Sequence, residues 1–169
     1  MEDLLGRSSG AKFSSCGSYR YRLWRRWDAS RPTLAFLMLN PSVAGETDDD
    51  ATVTRCIARA AKGGYGALEV VNLFALVSTD PQALYAPGID PIGPENDQAI
   101  TEVARSCETL VCAWSPHARH LGREAHVLGL LDQLGVVPHV LVINKDGTPR
   151  HPLYVGYSVT PVPWAHQAA

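Results

Sequence analysis

The chain lacks any long apolar run. No stretch approaches the ~20 apolar residues that a helix needs to cross a bilayer. The opening MEDLLGRSSG has neither the basic start nor the apolar core of a secretory signal. These absences argue against a membrane partner, and we expect a cytoplasmic protein.

Cysteine is scarce, and its spacing excludes the commonest metal signatures. The four cysteines, Cys16, Cys56, Cys107 and Cys112, form no C-x-x-C pair. In a cytoplasmic chain this disfavours a zinc centre and a disulfide framework, so we expect free thiols that are mostly buried. An iron–sulfur cluster stays formally open.

Three familiar catalytic signatures are also missing. The chain has no G-x-G-x-x-G after its first apolar strand and no G-x-x-x-x-G-K-[ST]. Dinucleotide binding and P-loop chemistry therefore have little support. The letters of G-x-S-x-G occur once, in GRSSG at residues 6–10, but not between a core strand and a helix as in a nucleophile elbow, which argues against a serine hydrolase.

What is present is the composition of one globular domain. The 169 residues are 46% hydrophobic and 19% charged, with a net charge of −2. This length suits a single domain over residues 1–169, with 1–17 as a flexible N-terminal segment. Basic residues are concentrated before residue 32, and acidic residues cluster at Asp48 to Asp50. The basic segment fits either a nucleic-acid contact or a solvated strand face.

Strands are indicated at five places. SYRYRLWRRW alternates, with Tyr19, Tyr21 and Leu23 on one face and Arg20 and Arg22 on the other, which predicts an N-terminal edge strand. Four apolar runs, TLAFLML, ALEVVNLFAL, TLVCAW and HVLVIN, predict strands covered on both faces.

Helices are predicted between these strands. DDATVTRCIARAAKGG has an aspartate cap and a double-glycine stop, a short helix begins at Asp80-Pro81, and PENDQAITEVARSC and SPHARHLGREAHVLGLLDQLG read as longer helices. The alternation predicts a three-layer α/β/α domain with a mainly parallel sheet of about four core strands plus the N-terminal edge strand.

Polar and aromatic residues follow the core strands. Ligands of open α/β sheets bind outside the carboxyl ends of the strands, so these residues are expected to line one pocket. They occur in LNPS, NLF, AWSPH and TPRHPLY, and the candidates for substrate binding or catalysis are Asn40, Ser42, Asn72, Phe74, Trp114, Arg150, His151 and Tyr154.

Several of these candidates, and the acidic run, also have a purely structural interpretation. Asn40 before Pro41 suits a turn, and Asn72 is compatible either with a tie between loops or with an amide that reads a nucleobase edge. His151 is either a surface histidine or a hydrogen-bond donor to developing negative charge. The run Asp48 to Asp50 is most simply the N-terminus of a helix, with a divalent-metal site as the minority interpretation.

The motifs resemble those of a bacterial family called domain of unknown function 1643. The resemblance rests on YRYRLWRRW, LMLNPSVAGETDDDATVTRC, GYGALEVVNLFALVSTDP, DPIGPEND and DGTPRHPLY, which together span nearly the whole chain. The name of this family states no function, so this resemblance implies no activity for the chain.

A more distant resemblance, to the uracil-DNA glycosylase superfamily, implies both a fold and a chemistry. LMLNPS is similar to that superfamily's first motif, in some branches G-[MI]-N-P-G, and implies that Asn40 positions the attacking water. LEVVNLFAL places Asn72 where an asparagine reads the uracil edge, and RHPLY places His151 where a histidine stabilises the departing base. Ser42 replaces the motif glycine and Leu153 a small residue, so the loops differ from the superfamily pattern.

This resemblance implies a metal-independent DNA glycosylase or related N-glycosidase that acts on a modified or deaminated base and requires no metal or organic cofactor. Arg20, Arg22 and Arg150 would bind flanking phosphates of the nucleic acid, and Leu153 or Tyr154 would fill the gap in the base stack. The alternative is a non-catalytic module of the same fold that binds nucleic acid or nucleotides.

Overall fold

One mixed sheet runs through the computed structural model, which describes residues 6–166. Within these residues the sheet has seven strands, in the order β1-β2-β4-β3-β5-β6-β7. They are β1 (Ser8–Phe13), β2 (Arg20–Arg26), β3 (Thr33–Met38), β4 (Ala67–Asn72), β5 (Thr109–Cys112), β6 (Pro138–Val140) and β7 (Val162–Pro163).

The centre of the sheet is parallel. Strands β4, β3, β5 and β6 pair in parallel, while β1, β2 and β7 are antiparallel to their neighbours. In β3, residues 34–38 are all buried, because helices cover both faces of the strand. The predicted α/β class with a mainly parallel core is confirmed.

Three α-helices connect the parallel strands: α1 (Ala51–Lys62), α2 (Asn96–Ser106) and α3 (Arg123–Leu134). The predicted cap of α1 is present, since Asp50 accepts a hydrogen bond from the Val53 amide and Gly63 ends the helix. The short helix predicted at Asp80-Pro81 is a 3-10 helix, Pro81–Tyr85.

The helices form layers on both faces of the sheet. Leu34 and Phe36 of β3 pack with Val53 and Cys56 of α1 in one cluster. Ala35 and Leu37, on the opposite face, pack in a second cluster with residues of α2 and α3, among them Ile100, Val103, Val127 and Leu131. The period-2 alternation of side chains along a strand thus assigns one face to α1 and the other to α2 and α3.

The prediction that the segment SYRYRLWRRW, residues 18–27, is an edge strand is wrong. Strand β2 pairs with β4 on one side and with β1 on the other. Strand β1 arises within the segment that was predicted to be flexible, residues 1–17, of which 1–5 lie outside the described part. Its alternation was too short and too polar to predict a strand, and pairing with β2 satisfies its backbone hydrogen-bonding groups.

The strict alternation predicted for β2 is also wrong at Arg20. Lys12 pairs with Arg22 and Phe13 pairs with Arg20, so Tyr21 is an extra residue in β2. Such a bulge reverses the facing of the residues that precede it. Arg20 therefore donates to the Ala44 carbonyl oxygen, whereas Arg22 reaches Glu69 and Glu102 on the α2 side of the sheet.

Two predicted elements are shorter than expected. The final core strand, predicted as HVLVIN, ends after Val140, and the chain then forms a turn in which the Asn144 amide donates to the Thr148 carbonyl oxygen. The helix predicted from Ser115 is broken at Leu121, which has φ 56°, and Gly122, which has φ 63°. A left-handed pair cannot continue a right-handed helix, so the segment Pro116–Gly122 forms 3-10 turns interrupted by a kink at His120 and Leu121, and α3 begins after it.

The cysteines are free thiols. Cys56 and Cys112 are buried, Cys107 is half-buried and Cys16 is exposed. None of the helices between residues 6 and 166 is long and apolar enough to cross a membrane.

Candidate functional site

A cavity of about 590 Å³ lies at the carboxyl edge of the parallel strands. The residues following β3, β4 and β5 line it, together with the first turn of α1 and the loop before Tyr154. Arg20 also reaches this edge, because β2 is antiparallel to β4 and begins where β4 ends. Eight of the ten site residues predicted from the sequence line this cavity: Arg20, Asn40, Ser42, Asn72, Trp114, Arg150, His151 and Tyr154.

Asn72, the last residue of β4, contributes an unpartnered amide to the cavity. Its side chain is 2% exposed, and its Oδ1 atom is buried without a hydrogen-bond donor. Its Nδ2 atom likewise has no acceptor among residues 6–166. Because a buried amide normally has partners for both its donor and its acceptor, the Asn72 amide is left with unsatisfied hydrogen-bonding capacity at the cavity wall.

Asn96 fixes the backbone that carries Asn72. Its Nδ2 atom donates to the Asn72 carbonyl oxygen at 2.8 Å and to the Leu73 carbonyl oxygen at 3.1 Å. Asn96 is fully buried and begins α2. The DPIGPEND motif thereby acquires a structural role, which is to close the end of β4.

Asn40 connects two loops at the cavity wall. Its Nδ2 atom donates to the carbonyl oxygens of Pro41, Leu76 and Ser78, the last at 2.9 Å. The Oδ1 atom has no donor within the described chain and stays available as an acceptor. Asn40 can therefore connect the loops through Nδ2 and still accept a hydrogen bond from a bound water or substrate through Oδ1.

Asp50 places a carboxylate on the cavity at the start of α1. Its Oδ1 atom accepts from the Val53 amide and its Oδ2 atom from the Ser42 hydroxyl, both at 2.8 Å. Its charge acts on two other cavity residues, since it favours the charged forms of Arg20 and His151. The helix-cap interpretation of the acidic run holds for Asp50, which also belongs to the site.

His151 has a defined tautomer when it is neutral. Its Nδ1 atom accepts from the Leu153 amide at 3.2 Å, so the ring proton of the neutral form is on Nε2. Burial lowers the pKa of His151 below 6.5, and the Asp50 carboxylate opposes that shift. At neutral pH His151 is therefore an uncharged donor through Nε2.

Two arginines of α1 hold the segment that carries His151. Arg55 donates to the carbonyl oxygens of Pro152 and Val155, and Arg59 donates to those of Val155, Gly156 and Val159. Both guanidinium groups also lie against the Tyr157 ring, at 4.2 and 5.5 Å from its centre. The loop after Pro149 is thus attached to the same helix that supplies Asp50.

The two predicted phosphate-binding arginines on the cavity differ in exposure. Arg20 is 4% exposed, and burial lowers its pKa to about 10 although Asp50 opposes the change. Arg150 is half-buried, and its Nε atom donates to the Asn144 Oδ1 atom at 2.8 Å. Both guanidinium groups retain N–H donors that no described residue accepts.

Two aromatic residues border the cavity in different ways. Trp114 is 3% exposed and its indole Nε1 donates to Glu124, so only its ring is available to a ligand. Tyr154 is 76% exposed and its ring lies 6.0 Å from the His151 ring. Trp114 can contribute an apolar wall, and Tyr154 lies at the mouth.

Two predicted site residues lie away from the cavity. Phe74 is fully buried in the cluster formed with α2 and α3, next to His120. Arg22 forms a bidentate ion pair with Glu69 and a second ion pair with Glu102. His117, which follows β5, also lies outside the cavity lining and contacts the Tyr85 hydroxyl.

Several lining residues were not selected from the sequence, namely Asp50, Thr52, Ser78, Thr79, Ser115 and Asn144. Asp50 carried a signal, because a helix that begins just after a strand end directs its first turn to the same edge of the sheet. Ser115 could have been selected by its position after β5, and its hydroxyl is buried without a partner. Asn144 had no comparable signal, since the shortening of β6 decides its position.

The donor set of the cavity suits an organic polar ligand. It combines amides, hydroxyls, a neutral imidazole, two guanidinium groups and one carboxylate. Among residues 6–166 no group of three or more histidine, cysteine, aspartate or glutamate side chains is arranged to hold a metal ion. Its volume lies within the range of small-molecule sites.

The fold and the cavity define an α/β protein with a polar cavity at the carboxyl edge of its sheet. Residues 20–153 match the model of the family described as protein of unknown function DUF1643, and the chain belongs to that family. Comparison with curated proteins gave no match, and neither did comparison with solved structures.

Proposed function

We propose that the cavity binds a nucleobase with its attached sugar and hydrolyses the N-glycosidic bond between them. The observation that carries the proposal is the shared lining of one cavity by Asn40, Asn72 and His151, each with an unused polar atom. The resemblance of their motifs to the uracil-DNA glycosylase superfamily supports the same assignment of roles.

Recognition of the base falls to Asn72. A primary amide offers one donor and one acceptor side by side, the pattern needed to pair with the amide edge of a uracil or hypoxanthine ring. Leaving such a group buried and unpaired costs about 1–3 kcal/mol, which a matching base would recover. The Trp114 ring supplies an apolar surface near the same site.

Stabilisation of the departing base falls to His151. As the bond between the anomeric carbon and the base nitrogen breaks, its electron pair moves onto the base. The Nε2–H of neutral His151 donates to the oxygen on which that charge accumulates. The desolvated surroundings that lower the pKa of His151 also strengthen this hydrogen bond.

Water attack completes the reaction. The water oxygen bonds to the anomeric carbon, one water proton ends on the released base, and the products are the free base and the sugar. Asn40, through Oδ1, and Asp50, through the free lone pairs of its carboxylate, are the acceptors that can orient this water. No step of this scheme uses a metal.

A binding module without catalysis is the second candidate, and the hydrogen bonds of Asn40 favour it. Three carbonyl oxygens already hold its amide nitrogen, which suits a residue that maintains the cavity wall. In that case the cavity would keep Asn72 and His151 for recognition and release no base.

Base release separates the two candidates. The substrates are labelled oligonucleotides, single and double stranded, carrying uracil, hypoxanthine, xanthine or alkylated bases, together with the corresponding free nucleosides and nucleotides. We expect release by the wild type and a decrease of about 100-fold or more in His151→Asn. His139→Asn is the matched control, because His139 lies on β6 outside the cavity lining.

The substitution His151→Asn keeps an oxygen that accepts the Leu153 amide, so the turn is preserved. Absence of base release from every substrate by a folded wild type would reject the enzyme. Ligand binding that survives under those conditions would support the module.

A further inference from the structure

Arg20 is a buried guanidinium with too few partners. Its side chain makes one hydrogen bond, to the Ala44 carbonyl oxygen at 2.9 Å, and its Nε atom is buried without an acceptor. Arg20 forms no ion pair with a carboxylate of residues 6–166, although the charge of Asp50 favours its charged form. A buried charge is normally paired, because its removal from water is costly.

The other buried arginines show how this chain usually meets that cost. Arg25 pairs with Asp49 and donates to four carbonyl oxygens, and Arg123 pairs with Asp97. Arg59 donates to three carbonyl oxygens and lies against Tyr157. Arg20 differs from all three in its single bond and in lining the cavity.

The bulge at Tyr21 directs Arg20 to this position. With regular pairing, Arg20 would share a face with Arg22, whose guanidinium pairs with the carboxylates of Glu69 and Glu102. The extra residue turns it to the cavity side, where it lacks such a partner. Bulges that redirect a side chain occur frequently next to ligand sites.

We infer that Arg20 binds the phosphate of a free nucleoside monophosphate inside the cavity. This inference rests on the proposed function and specifies its substrate class. A terminal phosphate monoester carries up to two negative charges and can enter a cavity with the rest of the nucleotide. Hydrolysis of such a substrate would give the free base and a pentose 5-phosphate, with water supplying the hydroxyl on the sugar and the proton on the base.

The surface of the chain argues for a free nucleotide over a nucleic acid. A strand of DNA or RNA carries phosphodiesters that continue on both sides, and a side chain only 4% exposed lies too deep for a backbone that passes outside. Nucleic-acid binding also requires exposed cations. Three basic residues of the N-terminal part are held in ion pairs, Arg22 with Glu69 and Glu102, Arg31 with Asp28 and Lys12 with Glu95, and the net charge is −2.

The test compares affinities for matched ligands that differ only in the phosphate. Calorimetric titration would use UMP, dUMP and IMP against uridine, deoxyuridine and inosine, with the wild type, Arg20→Met, Arg20→Lys and Arg22→Met. We expect the wild type to prefer a monophosphate over its nucleoside by about ten-fold or more, as charge-assisted hydrogen bonds provide. Arg20→Met should abolish the preference, and Arg22→Met, on the same strand, should retain it.

The same samples keep the two proposals apart, because base release is read by chromatography. Monophosphate preference without base release would support the phosphate site and reject the glycosidase. Base release from oligonucleotides with no preference for monophosphates would support the glycosidase and overturn the phosphate site. Retention of the preference in Arg20→Met would also overturn it.

Folding of the variants is checked by thermal unfolding without ligand. Replacing an under-partnered buried charge with methionine of similar length should leave the melting temperature unchanged or raise it. If Arg20→Met fails to fold, the phosphate site is tested instead by competition with inorganic phosphate, using the wild type and Arg20→Lys. The site is supported if inorganic phosphate weakens the binding of UMP but not that of uridine, and if this weakening is smaller in Arg20→Lys than in the wild type. Equal effects of phosphate on the binding of both ligands would reject the site.

Discussion

The side-chain amide of Asn96 donates to the main-chain carbonyl oxygen of Asn72 across 2.8 Å, so the first residue of α2 fixes the last residue of β4. The same nitrogen reaches the Leu73 carbonyl oxygen, and the Arg123 Nε atom donates to that oxygen as well. The end of β4 is therefore held by two buried side chains from the helix layer. This support fixes the backbone beneath the amide that we propose to recognise the base.

Removal of the Asn96 amide should destabilise the protein. Asn96→Ala leaves the Asn72 carbonyl oxygen without its side-chain donor, and a buried acceptor without a partner costs about 1–3 kcal/mol. Urea unfolding should show this loss. Gln98→Ala is the control on the same helix, since Gln98 is exposed and bonds only to Glu102, and it should change the free energy of unfolding by less than about 0.5 kcal/mol. Equal effects of the two substitutions would contradict the role given to Asn96.

Arg59 should be required for the order of the segment that carries His151. Arg59→Met removes the donor to the carbonyl oxygens of Val155, Gly156 and Val159, and we expect a loss of about 2–3 kcal/mol. Hydrogen exchange of residues 152–159 should accelerate, and urea unfolding should give the energy.

Lys62→Met is the matched control for Arg59. Lys62 also lies against the Tyr157 ring, at 5.2 Å, but it is exposed and donates to none of those carbonyl oxygens. We expect hydrogen exchange of residues 152–159 in Lys62→Met to match that of the wild type. A similar acceleration in both variants would assign the effect to the Tyr157 ring and not to the hydrogen bonds.

The stability of the protein should depend on pH through His151. Burial lowers its pKa in the folded state below the ordinary value of 6.5, so the unfolded state binds the proton more readily. Stability from this residue is complete above pH 6.5 and is lost as the pH falls toward the folded pKa. Melting temperatures between pH 5 and 8 should show a steeper decline in the wild type than in His151→Asn. Parallel curves would indicate that His151 titrates as it does in the unfolded chain.

Cys16 should be the one rapidly reacting thiol among the four cysteines. Hydrogen bonds from Ser14 and Ser18 lower its pKa to about 7, and the side chain is exposed. Burial raises the pKa of Cys107 to about 11 and of Cys56 to about 12, and it raises that of Cys112 further. A chromogenic disulfide reagent at pH 7.5 should therefore modify about one thiol quickly, because the thiolate is the reactive form. Cys16→Ser should remove the fast phase, and its persistence would assign it to another cysteine.

The sequence by itself determined the α/β class and most of the element order. A run that is apolar at every position, such as TLAFLML, must be covered on both faces, so it indicates a core strand without knowledge of the elements that cover it. Asp50 and Gly63 fixed the ends of α1, because caps act within a few residues. Because the carboxyl ends of parallel strands lie at one edge of the sheet, the sequence also predicted that Asn40, Asn72 and His151 lie close together. All three line the cavity.

Tertiary structure decided the features that depend on distant pairing. The bulge opposite Phe13 separates Arg20 from Arg22, and nothing local to YRYR indicates it, because a bulge is defined by the partner strand. The early end of β6 likewise follows from the turn that pairs Asn144 with Thr148, and it places Asn144 on the cavity. In a regular strand Phe74 would share the face of Asn72, two residues before it, but β4 ends at Asn72 and the chain beyond it directs Phe74 into the core beside α2 and α3. Periodicity reports which residues are buried, whereas the facing of a polar residue at a strand end depends on strand register and loop closure, which only the folded chain fixes.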